Sequence, residues 1–169
     1  MDINLIEIDK VIAARNLFYD ATLLFYEKRS PISIHHLAHA AHEVLCAITG
    51  DSYMLDSVTL TAEGKKEFKR MFTISKNFIK HADKDPNATL KFNTRSNVFL
   101  LLDCAWIINL HIDKECVYSQ TVIAWCIFVY PKLFNPEYIK SVHRHVFPMI
   151  DFQDFEAIAA DLKLHYSKA

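Results

Sequence analysis

Two glycines serve a chain of 169 residues. Tight β-turns lean on glycine, because several turn types need a positive φ that other residues resist. So few glycines leave little room for a sheet protein with many reversals, and favour long helices joined by few turns. Hydrophobic residues make up 51% of the chain, which argues against disorder and supplies a real core. The expected fold class is all-α, a bundle of about six or seven helices in one domain over residues 1–169.

Apolar spacing locates the elements. Val11, Ala14, Phe18, Ala21 and Phe25 recur at threes and fours, predicting a first helix over 8–28. Arg29-Ser30-Pro31 breaks it. Ser33 is the expected N-cap of a second helix that ends near Gly50. Residues 51–61 read as a loop. Thr61 caps a third helix that ends near Ala82, ahead of Asp83-Lys84-Asp85-Pro86. Residues 89–92 alternate weakly, as a short extended piece does. Thr94 caps a fourth helix over 95–112, and a fifth covers 119–130 before Pro131. Asn135-Pro136 opens another, ending near Phe147. Asp151 caps the last, to Tyr166. The fourth and fifth are apolar on nearly all sides. Such helices are buried centrally, or one broad face is covered by a partner chain.

Net charge is −1, without the basic excess of a general polyanion binder. Basic residues do gather locally, at Lys65, Lys66, Lys69, Arg70, Lys76 and Lys80. Cysteines 46, 104, 116 and 126 form no C-x-x-C pair and read as buried free thiols in a reducing cytosol. The opening MDINLIEIDK lacks the order of a signal peptide. The most apolar stretch, 98–110, is interrupted by Asp103 and Asn109 and is too short for a membrane span. The expected location is cytoplasmic, with no membrane partner. Phosphate loops, dinucleotide fingerprints, nucleophile elbows and zinc-finger spacings do not occur.

Two segments carry chemistry. The first is HHLAHAAHE, where His35, His39 and His42 share one helical face with Cys46 at about 100° per residue. Leu37, Ala41, Val44 and Ile48 form the opposite stripe. Ligands one turn apart can clamp an ion, so this face is a candidate zinc or iron site. It lacks a complete ligand set of recognised spacing. It also reads as an ordinary helix whose imidazoles meet water or carboxylates. No cofactor is expected on the leading reading. Asp103, inside an apolar helix, needs a partner, and His39 or His42 can supply one.

The second is Lys76-Asn77-Phe78-Ile79-Lys80-His81. One helical turn separates Asn77 from His81, with lysines flanking. An imidazole beside fixed cations suits phosphate-ester chemistry, moving a proton while the cations stabilise the developing oxyanion. The same residues also read as a helix C-terminus whose cations complement the macrodipole.

This segment resembles the motif of the HEPN superfamily, helical bundles of bacterial defence and toxin systems. That motif is an arginine, a polar residue, three variable residues and a histidine. Here Lys76 stands where the arginine belongs. The resemblance covers residues 8–112 and leaves 113–169 as additional packing helices. It implies an antiparallel helical core and a homodimer that pairs two motif copies. It also implies binding of RNA or a partner protein, or metal-independent endoribonuclease activity. His81 would carry the proton, Asn77 would orient it or the substrate, and Lys76 and Lys80 would meet phosphate. Lys69 and Arg70 extend the expected substrate-binding surface. Arginine offers phosphate a planar fork and lysine only a point charge, so the exchange at position 76 weakens the case for catalysis.

Overall fold

The computed structural model describes residues 5–50, 66, 78, 84, 86–134, 136, 138–139 and 151–166. Among these the chain forms five α-helices and one 3-10 turn, with no strand: α1 (Lys10–Tyr26), α2 (Pro31–Thr49), α3 (Arg95–His111), α4 (Val117–Val129), the 3-10 turn Pro131–Leu133, and α5 (Phe155–Tyr166). The expected all-helical class holds. The expected loop over 51–61 and helix over 61–82 lie outside the described residues, apart from Lys66 and Phe78, both exposed and helical. The helix from Asn135 to Phe147 lies largely outside them too.

Local chemistry sets the ends. Asp9 Oδ1 accepts from the Ile12 amide at 2.7 Å and starts α1. The cap of α2 is Ser30, not Ser33, because Pro31 takes the first helical position. Proline has no N–H to satisfy there, and its fixed φ suits the helix. Ser33 instead donates its amide to Ser30 Oγ at 3.4 Å. The cap of α5 is Asp154, whose Oδ1 accepts from the Ala157 amide at 2.9 Å, while Asp151 holds the preceding turn. Thr94 occupies the cap position of α3 without a side-chain hydrogen bond. Asn93 serves that end, accepting from the Arg95 amide at 3.0 Å.

Gly50 ends α2 at φ +76°, and nothing lies within 4 Å of an added Cβ. Gly50→Ala is therefore expected to cost about 1 kcal/mol through backbone strain alone, read as a lower midpoint in urea.

Helices α1 and α2 form an antiparallel hairpin, α3 packs on α2, and α4 packs on α3. Almost every residue of α3 from Ser96 to Ile108 is buried. The all-round apolar pattern of α3 and α4 is thus answered within this chain. Cys104, Cys116 and Cys126 are buried free thiols, and Cys46 is partly buried.

Candidate functional site

The histidine face of α2 points inward. His35 is 3% exposed, His39 and His42 are each 7%, while Ile48 on the other stripe is 36% exposed. Water therefore does not solvate this face. The residues facing it come from α3.

His42 Nε2 lies 2.6 Å from Asp103 Oδ2, and Asp103 is completely buried. Burial alone would lower the His42 pKa. The hydrogen bonds and charge of Asp103 and Cys46 outweigh it and raise the pKa from 6.5 to about 9. At neutral pH the pair is a buried imidazolium–carboxylate. Asp103 was expected to pair with His39 or His42, and it pairs with His42.

His35 behaves in the opposite way. Asn97 Nδ2 donates to the Pro31 carbonyl at 2.8 Å, which turns Asn97 Oδ1 toward His35 Nδ1 at 3.0 Å. A carbonyl only accepts, so the proton of His35 sits on Nδ1. Nε2 then carries a lone pair, buried and without a partner among the described residues. Burial lowers the His35 pKa despite the Asn97 hydrogen bond, and the ring is neutral. Its surroundings are the edge of Phe92, at 5.1 Å between centroids, and His39 at 6.1 Å. His39 Nδ1 leans toward Glu43 at 3.6 Å.

Cys46 Sγ lies 3.5 Å from His42 Nε2, the same nitrogen that meets Asp103, and 3.8 Å from Nδ1. A cysteine–histidine–aspartate relay needs the acid on one ring nitrogen and the thiol on the other. This seam does not have that arrangement. Among the described residues no group of three or more His, Cys, Asp or Glu side chains could hold a metal ion.

His42 makes stability depend on pH. Its folded pKa is about 9 against an ordinary 6.5, so the contribution is complete below pH 6.5 and is lost as pH rises through about 9. Urea unfolding at successive pH values should show a fall of up to about 3 kcal/mol across that window, absent in His42→Phe.

The structure brings His35, His39 and His42 into one buried seam. His81, Asn77, Lys76, Lys80, Arg70 and Lys69 lie outside the described residues. Asn97 was missed by sequence reasoning. The signal was present, a polar side chain near the start of an apolar helix, the same anomaly that singled out Asp103. Among the described residues no helix is long and apolar enough to cross a membrane. Comparison with protein-family models, with curated proteins and with solved structures returns no match.

Proposed function

We propose that this chain is an HEPN-like helical protein that binds RNA as a homodimer and cleaves it slowly without a metal. The observation that carries the reading is the Lys76-Asn77-x3-His81 spacing within a segment that also holds Lys65, Lys66, Lys69 and Arg70. Lys66 within that segment is helical and exposed. Ribose supplies its own nucleophile, the 2′-hydroxyl, so cleavage there needs a proton carrier and phosphate contacts. His81 fills the first role, Lys76 and Lys80 the second.

The test is a labelled single-stranded RNA incubated with the full chain in a chelator. Binding should weaken steeply with salt, and Lys76→Ala with Lys80→Ala should lower the salt slope by about one unit per lysine. Cleavage ends should be cyclic phosphates. RNA left both unbound and uncut at low salt ends this proposal. A stable protein partner recovered with the chain, and untouched by His81→Ala, would move the reading to an interaction module.

A further inference from the structure

A cavity of about 420 Å³ opens where the end of α1 meets the N-terminal ends of α2, α3 and α5 and the C-terminal end of α4. Its size falls in the range of small-ligand sites. One side is aromatic. Trp125 meets Phe25 edge-on at 5.2 Å, Phe155 at 5.8 Å and Tyr130 at 6.1 Å between centroids. Trp125 is 6% exposed, yet its indole N–H has no acceptor among the described residues.

The other side is cationic. Lys28, Arg29 and Arg95 line the cavity and are exposed, and none of the described lining residues is acidic. Glu27, beside them in the chain, is ion-paired with Lys163. Two helix N-termini, at Pro31 and Arg95, add their partial positive charge.

Lys28 is unusual in itself. It sits at φ +54°, the only described non-glycine residue with a positive φ. Its amide bonds the Phe25 carbonyl at 3.1 Å, and the Arg29 amide bonds the Leu24 carbonyl at 2.9 Å. That is the helix-ending turn in which glycine is usual. The chain keeps a lysine there instead, and its ammonium lies 5.4 Å from the centre of the Phe155 ring.

Aromatic cages often select cations. Here the chain supplies its own cation to the aromatic wall, and three positive side chains repel another. The chemistry selects a planar anion. We propose that this cavity binds a nucleoside phosphate, with the base against the aromatic wall and the phosphate met by Arg29 and Arg95. Stacking on aromatic faces tolerates any base, and guanidinium forks match phosphate. This proposal does not depend on the His81 segment.

The test uses the full chain and three probes: AMP, adenosine and inorganic phosphate. A Trp106→Phe variant leaves Trp125 as the one tryptophan of the two, so its emission reports the cavity. AMP should quench it saturably, with adenosine and phosphate each binding at least about tenfold more weakly. Arg29→Ala and Arg95→Ala should each weaken AMP about tenfold. Lys28→Gly should hold the melting temperature while also weakening AMP. Calorimetry on the unmodified chain gives the AMP affinity without relying on the tryptophan variant. A 5′-phosphorylated oligoribonucleotide that competes with AMP supports the site equally, as the same ligand chemistry in a longer chain. No saturable AMP binding at millimolar concentration overturns the proposal. So does adenosine binding as tightly as AMP, or AMP affinity unchanged in both arginine variants.

Discussion

Asp103→Ala is expected to destabilise the fold by about 3–5 kcal/mol at neutral pH, the usual cost of removing one partner from a buried ion pair. Asp103 is 0% exposed and lies 2.6 Å from His42 Nε2. Without the carboxylate, a charged imidazole between α2 and α3 has lost its counter-ion and must give up its proton. Urea denaturation at pH 7 measures the loss. The high-pH face of the stability profile should flatten in this variant, because the group responsible for it no longer titrates near pH 9. Asp103→Asn should cost less, since an amide oxygen still accepts from the imidazole. His42→Phe combined with Asp103→Leu should recover much of the loss, because an apolar pair of similar volume has no desolvation to offset. A single Asp103→Ala loss below about 1 kcal/mol would show that the pair is not buried as a charged unit.

His81→Ala is expected to slow RNA cleavage by about 10²–10⁴-fold, the typical contribution of a positioned general acid or base. Circular dichroism and the urea midpoint should stay at wild-type values, which separates lost chemistry from lost folding. Lys76→Arg is the complementary change. It restores the guanidinium of the motif that this segment resembles, and cleavage should rise because a planar fork holds phosphate in two hydrogen bonds. Wild-type protein that binds RNA yet leaves it intact in chelator, with Lys76→Arg equally inert, would reduce the proposed function to binding.

Much of the fold was legible because helices are local. Glycine scarcity, periodic phenylalanines and the breaks at Pro31 and Pro131 placed α1, α2, α3 and α4 to within a few residues. The errors were also local in kind. The apolar pattern starts later than the proline and points to Ser33 where the cap is Ser30, and it points to Asp151 where the cap is Asp154, three residues on. The histidine face was legible as a stripe, but not its direction. Imidazoles favour a solvated reading by default, and only the partner helix reverses it.

The sequence by itself determined which segments coil, because hydrogen bonding within a helix and the exclusions of proline depend on near neighbours. The tertiary structure decided that the polar stripe of α2 is the inside of the protein. It did so by setting Asn97 and Asp103 opposite His35 and His42, 62 and 61 residues away along the chain. A buried charge is tolerable only beside its counter-charge, and that proximity is a property of packed helices, not of spacing along one of them.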